Sequence, residues 1–357
     1  MERFAFVIHP LSAKKDVARK YPFVKLFPES VVEWALKHKS PMLVSHITGV
    51  KSLTGTEAEG WFVGCPLTPK LLASLPIEVV YKKIIDTIKI AEDMGAKIVG
   101  LGAHTSVVGD GGITIAKNSN IAVTTGNSYT VATGIEGSLK AAEMMGIDPA
   151  NANAAVVGAA GSIGWTCTQV LAKQCASITM IDISNDRLNE LAGQLNGVAK
   201  GEVRVTTEIE SGIREADIVI TVSSAVHTII EPHFIKRGAV VCDIARPRDV
   251  SARVMEERDD VLVIEGGVVE VPGDVQFNFN FGFPPRTAYA CMSETMMLAL
   301  EGRYESFTLG KTVSLEQVEE TQRLAAKHGF KLAGFRSFER AITQEQIERI
   351  RKNAGRM

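Results

Sequence analysis

The 357-residue sequence is first read by what it lacks. No stretch reaches the roughly 18 consecutive apolar residues that a membrane span needs. The opening apolar run, Phe4 to Ile8, is shorter than a signal-peptide core and follows acidic Glu2 where a leader would be basic. A cytoplasmic protein without an integral membrane segment is therefore expected. Cysteine is sparse: Cys65, Cys167, Cys175, Cys242 and Cys291 are odd in number and include no Cys-x-x-Cys pair, so neither a disulfide framework nor a zinc knuckle is indicated. The seven histidines form no His-x-His or His-Glu-x-x-His cluster and no P-loop occurs, which leaves metal hydrolysis and ATP chemistry without residues. No metal is expected. A Tyr-x-x-x-Lys pair after the fourth strand of the regular half is also missing, so a short-chain dehydrogenase mechanism is unsupported. Charge of one sign is not in excess: 39 Lys plus Arg face 41 Asp plus Glu. Without a basic surplus, nucleic acid is not an expected partner.

What is present is an ordinary globular composition, 45% hydrophobic and 22% charged, in a chain long enough for two domains at about 150 residues each. From Asn151 onward, apolar runs recur at Ala154–Val157, Ile178–Ile183, Val203–Thr206, Ile218–Val222, Ala239–Cys242 and Val261–Ile264, with helical patterns such as Arg187–Leu195 and Glu208–Glu215 between them. Fully apolar strands alternating with helices predict a Rossmann-type, doubly wound parallel α/β sheet over 149–285. Residues 1–128 predict a second α/β domain, the substrate domain, with strands at Phe4–His9, Met42–Ile47 and Lys97–Gly100 and a helix from about Val79 to Met94. A connecting helix is expected over 129–148, and the C-terminal helices of 286–357 are expected to complete the first domain. No internal repeat, low-complexity segment or long linker is visible.

Glycine occurs 31 times. Its densest motif is Gly158-Ala159-Ala160-Gly161-Ser162-Ile163-Gly164, after a predicted strand and opening a predicted helix. Such glycines permit a tight turn and bring a pyrophosphate to the free N–H groups of a helix N-terminus. The spacing is GxxGxxG, so an ordinary tight turn is the competing reading. Asp182, 24 residues beyond Gly158 at the end of the next apolar run, is placed to bind the adenine ribose hydroxyls and repel a 2′-phosphate, with Ile183 beside it. This favours NAD over NADP, the competing reading being a helix cap. Val222, Ser223 and Ser224 after the fourth strand, Ala245 after the fifth, and Gly266 and Gly267 after the sixth complete the candidate cofactor-binding set, because ligands of open α/β sheets lie at the carboxyl ends of the strands.

Outside that domain, Cys291 stands near a predicted helix start, where a dipole favours the thiolate; nucleophile and packing cysteine are both open readings. Two polar clusters are candidates to face a cleft: His104 and Ser106 in Gly102–Ser106, and Thr125 and Asn127 in Thr124–Tyr129. His104, Thr125 and Asn127 are candidates for substrate binding, and Ser106 and Lys51 for catalysis. Small hydroxyls and glycines build caps and turns as well.

Taken together, these segments resemble the cyanobacterial long-chain acyl-[acyl-carrier-protein] reductases, which form fatty aldehydes. The likeness runs over most of the chain: Phe4–Ser12 with His9, Val50–Gly55 followed by Glu59-Gly60, Cys65, Leu101-Gly102, Thr124–Asn127, the glycine loop, Gly266-Gly267, Ala290-Cys291 and Lys327–Phe330. The resemblance implies that Cys291 takes the acyl group from a thioester and that hydride from a nicotinamide then reduces it to the aldehyde. The implied partner is an acyl carrier protein or acyl-CoA as substrate carrier, with a homo-oligomer as a further possibility. The sequence departs from the family at Asp182-Ile183-Ser184-Asn185, where those reductases carry basic and amide residues suited to NADPH; NADH is expected here. The chain also extends past the family's usual end, from Phe335 on. Two other readings stand beside this one. In a dehydrogenase of a small amino or hydroxy acid, Lys51 would be the general acid or base and Cys291 structural. In a nucleotide-sensing protein, the dinucleotide would bind without turnover.

Overall fold

A computed structural model describes residues 1–356 and divides into two compact units. The first comprises Met1–Tyr129, Val269–Lys311 and Glu319–Lys331; the second comprises Thr130–Val268, Thr312–Val318 and the chain from residue 332.

The first unit is built on a six-stranded sheet containing β1 (Glu2–Ile8), β2 (Met42–Lys51), β3 (Glu57–Gly64), β4 (Ile98–Gly100), β5 (Ala122–Thr124) and an edge strand at Gly273–Gln276. Their order is edge strand, β2, β3, β1, β4, β5. β1 runs parallel to both neighbours, whereas β2 and the edge strand are antiparallel additions. Central β1 is the apolar run Phe4-Ala5-Phe6-Val7, buried on both faces as a parallel strand requires. One face is covered by the helix Ile77–Asp93, whose buried residues Val80, Ile84, Thr87, Ile88 and Ala91 form one helical stripe. Cys65, previously without a role, lies in this core, where burial pushes its thiol up to about 11. The helix Ala290–Leu300 packs against β1, β3 and β4 and is buried on every side from Met292 on. None of β3, β5 and the edge strand was anticipated. β3 reads Glu-Ala-Glu-Gly-Trp-Phe-Val-Gly, half polar and carrying a glycine, so it lacks the apolar continuity by which the other strands were found.

In the second unit β6 (Asn153–Val157), β7 (Ser177–Ile181), β8 (Glu202–Thr206), β9 (Ile218–Thr221), β10 (Val240–Asp243) and β11 (Leu262–Glu265) form one sheet in the order β11-β10-β9-β6-β7-β8. Every pairing is parallel. This is the doubly wound order of a Rossmann domain, with its switch point between β6 and β9. The α/β expectation holds, and each apolar run became a strand to within two residues. Three further thiols, Cys167, Cys175 and Cys242, are buried in this unit. No cysteine among the described residues is in a disulfide.

The two units divide the chain at other points than expected: residues 269–285 group with the first unit, and two further segments differ. The helix expected to connect the halves, observed at Asn127–Met144, groups with the second unit from Thr130 on. The tail from residue 332 also packs on the second unit instead of completing the first. Its helix Gln344–Asn353 opens with a Thr343/Gln346 capping box, and the Arg356 guanidinium then donates to Asp217 Oδ1 at 2.8 Å while Arg237 reaches the Asn353 carbonyl. The sequence pattern marked this stretch as a helix but did not name its charge partners. Met357 lies outside the described residues.

The close packing of β1 on β3 gives a direct test. Gly60 is paired with Phe4, and a Cβ at Gly60 would lie 2.5 Å from the buried Phe4 ring. Gly60→Ala is expected to lower stability by about 1–3 kcal/mol in urea denaturation with the far-ultraviolet circular dichroism unchanged. A stability equal to wild type would show that the ring has room to move.

Candidate functional site

In the second unit, β6 leads into the glycine loop. Gly158 adopts φ +84°, and its N–H and that of Ala159 both donate to the Ile181 carbonyl, at 2.8 and 3.1 Å. A Cβ on Gly158 would stand 2.8 Å from the Val222 carbonyl oxygen, and one on Gly164 only 2.0 Å from the Gly158 carbonyl oxygen. Those two glycines let the helix Ser162–Gln174 start hard against the strand ends. Gly161, by contrast, is exposed. Ala159 is buried, while Ser162 and Ile163 are half-buried in the first helical turn. A loop closed to side chains on its inner side and open on its outer side suits a pyrophosphate at a helix N-terminus.

Asp182 sits beside this loop. Its Oδ2 accepts from the Ala160 N–H at 3.0 Å and its Oδ1 from the Ile183 N–H at 2.8 Å. The helix-cap role belongs to Ser184, whose hydroxyl accepts from the Arg187 N–H. The Ile183 side chain is 95% exposed.

Two buried carboxylates missed in the sequence shape the loops after β9 and β10. Asp249 accepts from the Thr221 hydroxyl at 2.5 Å and from the Ser223 N–H and hydroxyl at 2.9 and 2.6 Å. Asp243 accepts from the N–H groups of Ala245 and Val250, at 3.1 and 3.0 Å, and burial pushes its carboxyl up to about 7. The Ser223 hydroxyl is thus engaged with Asp249, whereas Ser224 is exposed. Gly266 leaves no space for a side chain, since a Cβ there would meet Ile244 at 2.5 Å; Gly267 has φ +74°. An aspartate closing each of these loops was the available signal, but strand-end Asp residues are common turn formers.

In the first unit, Cys291 is the second residue of the helix Ala290–Leu300, follows the extended cap residue Tyr289, and is half-exposed. The segment Thr124–Asn127 crosses directly over it. A Cβ on Gly126, which has φ +73°, would lie 2.3 Å from both Cα and Cβ of Cys291, so only glycine fits there. One turn on, Glu294 is fully buried. Its Oε1 accepts from the hydroxyls of Thr124, at 2.5 Å, and Thr308, at 3.3 Å, and its Oε2 accepts from the Tyr129 N–H at 2.9 Å. Burial pushes this carboxyl up to about 7 against those hydrogen bonds. Glu294 fastens the Thr124–Tyr129 segment to the cysteine helix. It was not singled out in the sequence, where an acid in a helix reads as a solvated residue.

Several candidates take other places than expected. Thr125 is buried and gives its hydroxyl to the Thr308 carbonyl, and Asn127 is buried at the start of its helix, so both belong to the packing around Cys291. The Ser106 hydroxyl donates to the Ala103 carbonyl at 2.7 Å and caps a turn. His104 meets His9 edge to face at 6.2 Å; burial, reinforced by His104, brings His9 down to about 4. Lys51 is exposed at the end of β2 in a 2.8 Å ion pair with Glu57, whose carboxylate raises its pKa. A Ser-His-Glu chain also exists: Ser52 Oγ lies 2.8 Å from His328 Nδ1, and His328 Nε2 lies 2.9 Å from Glu301 Oε2. Ser52 is buried and its Oγ also accepts from the Thr54 N–H, so this chain ties the β2–β3 turn to a helix end. An aromatic run completes the surroundings. Phe277 and Phe281 pack on Phe62 of β3, Phe281 stacks on Phe283 at 5.3 Å, and Phe283 meets Tyr289 at 4.4 Å, two residues before Cys291.

Fold and glycine loop are those of a Rossmann-type dinucleotide-binding domain. The comparisons with known proteins agree at that level. The sequence pattern of the shikimate / quinate 5-dehydrogenase family matches residues 140–265. Aminotransferase PigE of a Serratia species is 28% identical over 98% of this chain, which spans 42% of that protein's length. The long-chain acyl-[acyl-carrier-protein] reductase of Synechococcus elongatus is 26% identical over 90% of this chain and 95% of its own. Among solved structures, the A chain of dipicolinate synthase from Bacillus subtilis is 14% identical, with a TM-score of 0.34 over 72% of this chain and 85% of that one.

Glu294 can be tested through pH. Its folded pKa lies above the ordinary carboxyl value of 4.5, so its stabilisation is complete below that value and is lost as pH rises through about 7. Between pH 5 and pH 8 wild type should lose on the order of 2 kcal/mol more stability than Glu294→Gln in urea denaturation. Parallel pH profiles would show that Glu294 does not titrate in that window.

Proposed function

We propose that the protein is an aldehyde-forming reductase of fatty acyl thioesters that uses Cys291 as nucleophile and NADH as reductant. The observation that carries this reading is the setting of Cys291, a half-exposed thiol in the first turn of an otherwise buried helix, under a glycine. A helix N-terminus favours the thiolate, and rigid packing of the following turns fixes where the sulfur stands. The thiolate adds to the thioester carbonyl, the carrier leaves as a thiolate that takes up a proton from water, and the acyl group is held on Sγ as a new thioester. A dinucleotide held at the glycine loop would supply the hydride that reduces that carbonyl. Collapse of the resulting adduct releases aldehyde and returns the Cys291 thiolate. The similarity to the Synechococcus elongatus reductase over nearly the length of both chains supports this reading.

Glycine loop, Asp182 and Ile183 are the groups that would hold the dinucleotide. The Asp182 carboxylate suits the ribose hydroxyls and repels a 2′-phosphate, and exposed Ile183 offers an apolar face to an adenine ring. In the competing dehydrogenase of small amino or hydroxy acids, Lys51 would have to act from an exposed ion pair with Glu57.

Two measurements test these assignments. Incubated with a long-chain acyl-CoA and no NADH, wild type should gain one acyl mass on Cys291, and NADH should then release aldehyde; Cys291→Ala should lose at least a thousandfold in rate. No adduct on wild type, or an undiminished rate in the variant, would sink the proposal. Asp182→Ala should narrow the preference for NADH over NADPH by about tenfold in kcat/KM. An unchanged ratio would leave the carboxylate as a loop fastener only.

A further inference from the structure

One segment of the first unit carries apolar side chains on its outside as well as on its inside. Residues 22–38 form a short 3-10 helix, Pro22–Leu26, and the helix Glu29–His38. Val24, Val32 and Leu36 join Ala13 in a small core, with Val17, Tyr21 and Leu71 packed against it. That core holds the segment onto the unit and accounts for one of its faces. Phe23, Leu26, Phe27, Val31 and Trp34 lie outside it, with Leu26 at 85% and Trp34 at 67% exposure. Phe23 and Leu26 are three apart in a 3-10 helix, so they stand one above the other. Val31, Trp34 and His38 follow α-helical spacing, and the Trp34 and His38 rings meet at 5.2 Å. Single exposed hydrophobic residues are ordinary on a protein surface, but five large ones between residues 23 and 34 mark an interaction site.

Charge says what covers this face. Residues 14–39 hold seven basic residues against three acidic ones, a formal +4 in a chain of −2. Two of the acids are engaged, Asp16 with Arg19 and the N–H groups of Leu11 and Ser12, and Glu33 with Lys70. Lys20, Lys25 and Lys37 are exposed and stand in no ion pair among the described residues. A second copy laid on the same face would bring its own surplus of cations against these lysines, which opposes a dimer. An anionic lipid surface takes both kinds of group at once: rings and Leu26 enter the boundary of the acyl chains while the ammonium groups stay among the headgroups. No helix among the described residues is long and apolar enough to cross a membrane, so the segment would lie in the plane of the surface.

We propose that residues 22–38 seat this protein on anionic lipid bilayers, with Phe23, Leu26, Phe27 and Trp34 in the interface and Lys20, Lys25 and Lys37 at the headgroups. Nothing in this docking depends on the chemistry at Cys291.

The experiment sediments the full chain with phosphatidylcholine vesicles that contain or lack phosphatidylglycerol. Wild type should bind the phosphatidylglycerol vesicles about tenfold more tightly than the neutral ones, and Lys20→Gln/Lys25→Gln/Lys37→Gln should remove that preference. Leu26→Ser/Trp34→Ser should weaken binding to the anionic vesicles by about tenfold or more, with urea denaturation unchanged because both side chains are exposed. Lipid brominated in the upper acyl chain should quench the tryptophan fluorescence of wild type and quench Trp34→Phe markedly less, a readout that attraction to the headgroups alone would not move. Failure to sediment with anionic vesicles, equal binding to the two kinds of vesicle, or binding that both multiple variants leave intact would overturn the proposal. So would a dimer in analytical ultracentrifugation that Leu26→Ser/Trp34→Ser converts to monomer, because a second copy would then be the cover.

Discussion

The Glu294 carboxyl lies out of reach of water and takes hydrogen bonds from Thr124, Thr308 and the Tyr129 backbone. Burying such a group without partners would cost several kcal/mol, so its position is specified as tightly as its three donors are. Those donors belong to two separate stretches of chain, and Glu294 itself stands one helical turn from Cys291. The consequence is that the Thr124–Tyr129 segment cannot lift away from the cysteine without stranding a buried acid. Gly126 sets the matching limit from the other side, since its missing side chain is what lets the segment lie against Cys291. Together a buried acid and an absent Cβ fix the surroundings of one thiol.

The second unit uses the same device at the carboxyl edge of its sheet. Asp249 collects the Thr221 and Ser223 groups after β9, and Asp243 collects the Ala245 and Val250 N–H groups after β10. Loops at a sheet edge hold function because the rigid strands position them, but a loop has few hydrogen bonds of its own. A carboxylate taking two or three of its donors supplies that rigidity in few residues. Asp243 and Glu294 both sit near 7 because burial outweighs their hydrogen bonds, so each unit keeps an acid whose ionisation works against folding as pH rises.

How far the sequence revealed this follows from which forces leave a pattern in it. Burial on both faces forces continuous apolar runs, so the strands of the second unit and their parallel class were legible. Close approach of backbone forces glycine, so Gly158 and Gly164 stood out; Gly126 was visible only within a polar cluster and its reason was not. What stayed hidden depends on pairs distant in sequence. Glu294 and Thr124 lie 170 residues apart, and nothing in either neighbourhood marks the bond. Lys51 looked like a candidate base because its partner Glu57 lies across the β2–β3 turn, in a strand whose polar half concealed it. The tail's attachment likewise depends on Asp217, 139 residues before Arg356.

Near-neutral total charge was the observation that argued against a polyanionic partner, and it remains sound for nucleic acid, which needs cations spread over many phosphates. It says little about a single phosphate, because one pocket needs only a few uncommitted cations. Many charged residues of this chain stand in pairs such as Arg3 with Glu59, Lys70 with Glu33 and Arg253 with Glu257. Paired charges cancel locally and are largely invisible to an approaching anion. The field that a charged substrate meets is therefore set by the local arrangement of charges and not by their sum.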